Sequence, residues 1–385
     1  MRTAAFHVAL CALALPALAP AQQSAAVPQT EQSDVATLSP QKPHRIFTLD
    51  SYGEQGVRII DAGNLKIEGM LQTNSTSTLA LDPAGKYFYI SETIYTKGNR
   101  GTRQDMVTVY DSSTLNLVTE IPLPGRLIID ARTHIFDISA SGTYGYVYNL
   151  QPASSVVIVN LHQRKVASTV ELPGCALAFP WKDGGFASLC GDGSLATVVI
   201  PASGKPTVTH SASFFNADLD PIYEESVSDR DSGRALFLSY TGKIYPAQLS
   251  EKPTIDQAWS LTESAGMPAA GTGVQELAWR PGGNHPIAWH KARNRIYVLM
   301  HPGNHWTHKE AGTELWIVDA TAHKTIRRIK LPEPATAVGI TQDDQPILFV
   351  LTRGDRHLVT FDEATGQKKD ESKGVAGRIA WTTGF

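Results

Sequence analysis

The feature of this chain that most constrains its fold is an internal repeat of seventeen residues, present three times without gaps. The copies are VYDSSTLNLVTEIPLPG from Val109, IVNLHQRKVASTVELPG from Ile158 and IVDATAHKTIRRIKLPE from Ile317. In each copy an Asp or Asn opens a turn, and a proline thirteen residues later ends the following strand. Self-similarity of this kind is typical of repeat architectures, in which one supersecondary unit is stacked several times.

The repeated unit is made of β-strands. Short runs rich in Val, Ile, Thr, Tyr and Phe recur between clusters of Gly, Pro, Asp and Asn, as in KYFYISE, YGYVYNL and RIYVLMH, and helical patterns are nearly absent. Another pair of strands lies upstream of each copy, so that a unit holds about four strands, the size of a propeller blade. We therefore predict an all-β chain folded as a seven-bladed β-propeller, with a stack of β-sandwiches as the alternative.

The predicted blades account for most of the chain from residue 45 onward, and two strands are expected to meet at the ring closure. The blades lie near residues 45–75, 79–125, 134–174, 175–212, 222–262, 286–334 and 336–373. The last strand, GRIAWTTG from Gly377, has no blade of its own. We expect ring closure by this C-terminal strand, which would pair with the first blade.

Two segments precede the propeller, which we place at residues 43–385. In residues 1–21, Arg2 is followed by an apolar run and the small residues Ala19-Pro20-Ala21, a pattern that predicts a signal peptide and export. Residues 22–42 contain few large apolar side chains, so we expect a flexible segment. No later stretch has the ~20 apolar residues of a membrane span, and we predict no membrane attachment.

Composition and motifs exclude several classes of function. The formal net charge is −3 and no basic stripe is present, which argues against a nucleic-acid partner. No G-x-S-x-G motif or glycine-rich phosphate loop occurs, so we predict no catalytic residues and no cofactor site in this chain. Acidic pairs such as Glu224 with Glu225 leave open a metal-dependent propeller hydrolase, although most such pairs are merely solvated.

Three histidines raise the question of a metal site. His301, His305 and His308 are spaced by four and three residues, which on a helix would place them on one face. Pro302 and Gly303 disfavour a helix here, and the propeller prediction places the segment in a loop between two strands. We therefore predict a loop without a metal, and a metal site is the alternative.

Two cysteines remain once Cys11 leaves with the predicted signal peptide. Cys175 and Cys190 flank a predicted hairpin turn at 181–185, and in an oxidising compartment an even number of cysteines favours pairing. A disulfide here would close a loop of about fifteen residues, worth ~3 kcal/mol in the chain-entropy model. Two buried thiols are the alternative.

A long segment from Trp279 to Asp319, WRPGGNHPIAWHKARNRIYVLMHPGNHWTHKEAGTELWIVD, resembles the heavy subunit of the quinoprotein amine dehydrogenases, the methylamine and aromatic amine dehydrogenases. The segments LPGCALAFP, LCGDGSLATV and SYTGKIYPAQLS resemble the same family, and Cys175 and Cys190 fall where that family has its heavy-chain pair. The resemblance covers nearly the whole chain after the predicted signal peptide.

The resemblance implies a periplasmic seven-bladed propeller that binds a small, disulfide-rich light chain in a heterotetramer of two heavy and two light chains. The light chain would carry tryptophan tryptophylquinone and the catalytic aspartate. The assembly would oxidise primary amines to aldehyde and ammonia and pass electrons to a blue copper protein. A propeller that stands alone as a binding module is the alternative function.

The chain departs from this family in one segment. Heavy chains often carry G-G-F-L-P-N, whose phenylalanine lies at the entrance to the active site, whereas this chain has GMLQTNSTSTLAL from Gly69 to Leu81. On this alignment Thr73, Asn74 and Ser75 would line the channel entrance. Either the amine preference differs, or the chain no longer pairs with a light chain.

Overall fold

The β-branched and aromatic runs form antiparallel strands, as predicted. In a computed structural model, the structure describes residues 37–39, 42–50, 56–74, 76–98, 100–126, 128, 130–352, 354 and 356–384. The predicted signal peptide, most of the predicted flexible segment and Ser75 lie outside these residues. Within the described part, no helix has both the length and the apolar character needed to cross a membrane.

The first fifteen strands form single-blade sheets. They are β1 Arg45–Asp50, β2 Gly56–Asp61, β3 Ile67–Leu71, β4 Thr78–Leu81, β5 Tyr87–Tyr95, β6 Arg103–Asp111, β7 Leu117–Pro122, β8 Phe136–Ile138, β9 Tyr144–Asn149, β10 Ser155–Asn160, β11 Lys165–Glu171, β12 Cys175–Trp181, β13 Gly185–Cys190, β14 Leu195–Val199 and β15 Thr207–His210. A 3-10 turn at Thr133–Ile135 precedes β8.

The remaining strands follow the same antiparallel pattern. They are β16 Val227–Asp229, β17 Arg234–Leu238, β18 Lys243–Gln248, β19 Thr254–Ile255, β20 Trp259–Ser260, β21 Ala278–Pro281, β22 Ile287–His290, β23 Arg295–Gly303, β24 Gly312–Asp319, β25 Lys324–Ile340, β26 Leu348–Thr352, β27 Leu358–Phe361, β28 Lys368–Ser372 and β29 Ile379–Thr382. One short helix, α1 Leu261–Ser264, follows β20.

The all-β prediction is confirmed, but the prediction of seven separate blades is wrong. Among the described residues, five sheets have the size of one blade, with four strands each or five in the sheet of β16–β20, and one sheet has eight strands, β21–β28. The long strand β25 joins its two halves, since it pairs with β24 on one side and β26 on the other. The strand does not end at Pro332, as the repeat had predicted. Proline is compatible with extended backbone, and its missing N–H breaks no ladder here because residues 331–334 have no Cα partner in either neighbouring strand.

The sheets are arranged around a common axis. The innermost strands contact one another in the order β4, β8, β12, β16, β22, the second half of β25 and β29. The C-terminal strand β29 pairs with β1, with Phe47 opposite Trp381, so that both ends of the described chain share one sheet, as expected. Apolar side chains packed between neighbouring sheets form the core, for example Phe179 against Phe237 at 5.2 Å between ring centres.

Candidate functional site

One face of the ring carries the long connections. Because the strands within each sheet are antiparallel and run outward in chain order, the connections into the innermost strands all lie at the same end of the sheets, together with the turns between second and third strands. We call this end the upper face, and its main connections are residues 72–77, 123–132, 211–226, 265–277 and 304–311. Long connections on a rigid scaffold are where proteins usually place binding residues.

The predicted channel entrance lies on this face, in the connection 72–77. Thr73 is buried and its hydroxyl has no hydrogen-bond partner among the described residues, while Asn74 is half-buried. The backbone N–H of Asn74 donates to the buried carboxylate of Glu92 at 3.1 Å, and the Ser77 hydroxyl donates to the Asn74 carbonyl at 2.6 Å. These bonds fix the path of the backbone. That Thr73 and Asn74 line an entrance stays a prediction.

A buried cation supports the same connection from below. The guanidinium of Arg126 is fully buried and donates to the Ser91 hydroxyl at 3.3 Å, to the Thr93 hydroxyl at 3.2 Å and to the Thr76 carbonyl. Burial lowers the pKa of Arg126 to about 10, which still leaves it charged at neutral pH. This role could not be read from the sequence, because the residues that the Arg126 guanidinium contacts lie more than thirty positions away.

A second group on the upper face is an aromatic cluster. The rings of Tyr240 and His308 stack at 4.0 Å, Tyr223 lies 4.7 Å from Tyr240, and Trp306 meets Tyr240 edge-on at 6.2 Å. The Tyr223 hydroxyl donates to the Pro281 carbonyl at 2.7 Å, and burial raises its pKa. Trp306 remains 47% exposed. The cluster therefore presents one large aromatic side chain on a rigid base, the type of residue that anchors protein partners.

The predicted loop between RIYVLMH and TELWIVD is confirmed, since residues 304–311 connect β23 to β24. His301 lies at the end of β23 and is buried, with Nδ1 3.8 Å from the Glu310 carboxylate. His305 is also buried, and neither of its ring nitrogens has a hydrogen-bond partner in the described part of the chain. His308 belongs to the aromatic cluster, and burial lowers its pKa. The three rings have different surroundings and do not converge on one point.

The acidic pair Glu224 and Glu225 acquires a partner that the sequence did not reveal. Arg132 forms an ion pair with Glu224 and lies 4.0 Å from Glu225. Arg132 and Glu224 are 92 positions apart in the chain. Glu225 is buried and accepts hydrogen bonds from the backbone and hydroxyl of Thr133. Burial raises the pKa of Glu225, and the positive charge of Arg132 opposes this shift without overcoming it. These contacts tie together the two connections that lead into the innermost strands β8 and β16.

The predicted disulfide between Cys175 and Cys190 is present. The two residues face each other across the antiparallel pair of β12 and β13. His210, at the end of β15, lies beside the bridge, with Nδ1 4.0 Å from the Cys190 sulfur. This is the one place where the described residues bring three potential metal-ligand atoms within 4.8 Å of one another. A disulfide sulfur is not a thiolate, so the bridged form offers only one effective ligand.

Solved structures with a similar fold are distant in sequence. A periplasmic gluconolactonase from Pseudomonas aeruginosa is 13% identical with a TM-score of 0.58, covering 87% of this chain and 96% of that chain. A functionally unknown protein from Desulfotomaculum acetoxidans is 11% identical with a TM-score of 0.58, covering 88% of this chain and 98% of that chain. Similarity at this level concerns the fold alone.

Proteins with similar sequences are more informative about this chain than the solved structures with a similar fold. The methylamine dehydrogenase heavy chain of Methylobacillus flagellatus is 29% identical over 367 residues, covering 93% of this chain and 90% of the relative. The heavy chain of Methylophilus methylotrophus is 27% identical over 347 residues, covering 88% of this chain and 82% of the relative. The family model for the methylamine dehydrogenase heavy chain matches residues 46–383. The chain therefore belongs to the methylamine dehydrogenase heavy-chain family.

Proposed function

We propose that this chain is the heavy subunit of a periplasmic amine dehydrogenase that oxidises primary amines to aldehyde and ammonia. The match to the heavy-chain family across residues 46–383 carries the proposal. The tryptophan tryptophylquinone cofactor and the catalytic residues belong to a separate small, disulfide-rich light chain. Two heavy and two light chains form the heterotetramer, and residues 1–21 direct export and are removed.

The reaction defines what this chain must do. A primary amine and one water yield an aldehyde, ammonia, two protons and two electrons. A blue copper protein takes one electron at a time, so two electron transfers follow each turnover. The heavy chain contributes no reacting group in this scheme. It docks the light chain, shapes the route of the amine and adds surface for the copper protein.

We assign light-chain docking to the upper face. Four of the most exposed large apolar side chains lie on its connections, with exposed fractions between 47% and 72%, namely Leu219, Val274, Leu277 and Trp306. Exposed apolar groups next to polar ones are typical of protein-binding surfaces. The stacked rings of Tyr240 and His308 support Trp306 from behind, so binding would cost little side-chain entropy.

A propeller that stands alone as a binding module is the second candidate function. The segment between Gly69 and Leu81 favours it, because the phenylalanine that heavy chains often carry at the channel entrance is missing. In this case the upper face would bind another partner and no quinone would be present.

Co-purification separates the two functions. The chain should be expressed with an affinity tag together with a short, cysteine-rich reading frame adjacent to its own gene. We expect an equimolar light chain with the visible absorbance of a quinone and amine-dependent reduction of that absorbance. A monomer without chromophore, obtained from the native host as well, would refute the heavy-subunit proposal and leave the binding module.

A further inference from the structure

A small cavity lies among the innermost strands of the ring. Its volume is about 30 Å³, and its walls come from β4, β8, β16, β29 and the turns next to them, with Leu79, His134, Phe136, Asp137, Arg230 and Trp381 among the lining residues. One enclosed water needs roughly 10–15 Å³ of such space, so the cavity has room for two or three waters. We propose that this cavity binds a small zwitterionic amino acid of the size of glycine.

Two acceptor atoms in the cavity face each other with no donor from the described residues between them. Nε2 of His134 lies 2.8 Å from the Ser226 carbonyl, so a neutral ring carries its proton there and leaves Nδ1 as a bare acceptor. This Nδ1 is buried and lies 3.3 Å from Oδ2 of Asp137, but the direction of the contact does not allow a hydrogen bond. A ligand that donates to both atoms would satisfy them.

The Asp137 carboxylate supplies the charge for such a donor. Its Oδ1 accepts from the backbone N–H of Ile138 at 2.8 Å, whereas Oδ2 is the oxygen that faces Nδ1 of His134. An ammonium group placed against these two atoms would donate to both of them. Hydrogen bonds between an ammonium and a carboxylate belong to the strong, charge-assisted class.

The Arg230 guanidinium is a cation with donors left over. Arg230 follows β16 at the end of the sheets opposite the upper face, where its carbonyl accepts from the Lys182 N–H at 2.6 Å. In the described part of the chain this guanidinium makes one hydrogen bond, to the Leu81 carbonyl at 3.4 Å. Its Nη1 is 3.8 Å from Oδ1 of Asp137, which is too long for another. The remaining N–H groups match the planar geometry of a ligand carboxylate.

The charges of the cavity complement those of a zwitterion. Asp137 and Arg230 contribute one anion and one cation, so a ligand with a single charge meets repulsion from one of them. In an α-amino acid the ammonium and the carboxylate are joined through one carbon, and each can lie against its opposite charge. Of the other charges near His134, Glu225 has Arg132 at 4.0 Å.

The walls limit the size of the ligand. Leu79, Phe136 and Trp381 are buried and present carbon atoms to the cavity. A water occupies about 30 Å³ in the liquid, and glycine roughly two to three times as much, so glycine can replace the waters. A leucine side chain would need the packed walls to move. The side chains of Asp137 and Arg230 are 21% and 13% exposed, so solvent reaches that end of the cavity. The inference does not depend on the proposed amine dehydrogenase activity.

Calorimetric titration of the full chain as purified, with four matched probes, tests the cavity. Glycine carries both charged groups, methylammonium and acetate carry one each, and leucine adds a bulky side chain. We expect one glycine to bind per chain, methylammonium and acetate to bind at least about tenfold more weakly, because each lacks the hydrogen bonds to one charged group, and leucine not to bind. Absence of glycine binding at millimolar concentrations would mean that His134 and Asp137 form a plain ion pair, and it would overturn the proposal. Acetate or methylammonium binding as tightly as glycine would also overturn it.

Matched variants locate the bound glycine. Asp137→Asn keeps the acceptor for the Ile138 N–H but removes the charge opposite the ammonium, so it should weaken glycine binding at least about tenfold. Asp231→Asn removes an exposed carboxylate from the residue next to Arg230 and should leave the affinity unchanged. Equal affinities for these two variants would refute the site. If Asp137→Asn does not fold, Arg230→Gln gives the same comparison, and the four probes on the unchanged chain decide in either case.

Discussion

Replacing Arg132 with methionine should destabilise the fold much more than an ordinary surface substitution. Arg132 is the cation next to the buried carboxyl group of Glu225, which is only 2% exposed. Removing one partner of a buried ion pair typically costs about 3–5 kcal/mol, because the remaining charge is left without compensation. Glu225 can escape part of this cost by taking up a proton, so we expect the lower end, about 3 kcal/mol. In a domain of this size that corresponds to roughly 4 °C in Tm.

The same substitution should change how stability depends on pH. Burial already raises the pKa of Glu225 above its ordinary 4.5. The contribution of this carboxyl group to the free energy of unfolding is therefore fully present below its pKa in the unfolded chain. It is lost as pH rises through its pKa in the folded state. Without Arg132 the pKa of Glu225 in the folded state rises further. The loss of unfolding free energy in Arg132→Met, relative to the unchanged protein, should therefore be small near about pH 4 and grow toward neutral pH.

Thermal melts at several pH values measure both effects, and two further variants serve as controls. Lys368→Met breaks an exposed ion pair with Glu371 and should change Tm little. Adding Glu225→Gln to Arg132→Met should recover most of the lost stability, because the amide carries no charge and can still accept the Thr133 hydrogen bonds. If Arg132→Met costs no more than Lys368→Met, or if the added Glu225→Gln recovers nothing, the role assigned to the buried charge is wrong.

Two other predictions concern the aromatic cluster. Trp306→Ala should weaken light-chain binding by about 2 kcal/mol, or roughly thirtyfold, as measured by titration calorimetry. Ile326→Ala, which removes an exposed apolar side chain from β25, should leave this affinity unchanged, and equal losses for both variants would contradict the docking assignment. Tyr223→Phe should lower the free energy of unfolding by about 1–3 kcal/mol, because the buried Pro281 carbonyl loses its donor. Urea denaturation tests this, and an unchanged midpoint would contradict it.

The repeat could be recognised from the sequence because its turns depend on local chemistry. Asp111 accepts hydrogen bonds from the backbone N–H groups two and three positions ahead, at 3.0 and 2.9 Å, and Asp319 does the same at 2.8 and 2.9 Å. Asn160 accepts from the backbone three positions ahead at 2.8 Å. The predicted number of blades was wrong at β25, where the course of the chain depends on pairing with distant strands rather than on local turn residues. Pro332 resembles the strand-ending Pro173 of another copy, but β25 continues past it because the chain pairs with β24 up to Lys330 and with β26 from Ala335 onward.

The candidate site was much less predictable from the sequence, because its contacts also join residues that lie far apart in the chain. Arg132, Glu224 and Glu225 each look like ordinary solvated charges in the sequence, and only the fold reveals that Glu225 is buried next to Arg132. Arg126 could not be recognised in the sequence, since the partners of its guanidinium are brought to it by strand β5 and by a connection fifty residues earlier. Charges acquire a structural role through burial, and burial depends on tertiary structure.

The way the connection 72–77 is held suggests that its side chains can change without affecting its path. Glu92 binds the backbone N–H of Asn74, and Arg126 binds the backbone carbonyl of Thr76, so both contacts survive any substitution by a residue other than proline. The side chains of the predicted entrance can therefore differ from those of the family while the scaffold stays intact. Asn74→Phe should lower kcat/KM for bulky amines relative to small ones in the heavy–light complex, with light-chain affinity unchanged. Asn116→Phe, in a turn on the opposite face, is the matched control. An unaltered amine preference in the Asn74→Phe complex would show that this connection does not line the entrance, and a loss of light-chain binding would show that entrance and docking surface are not separate.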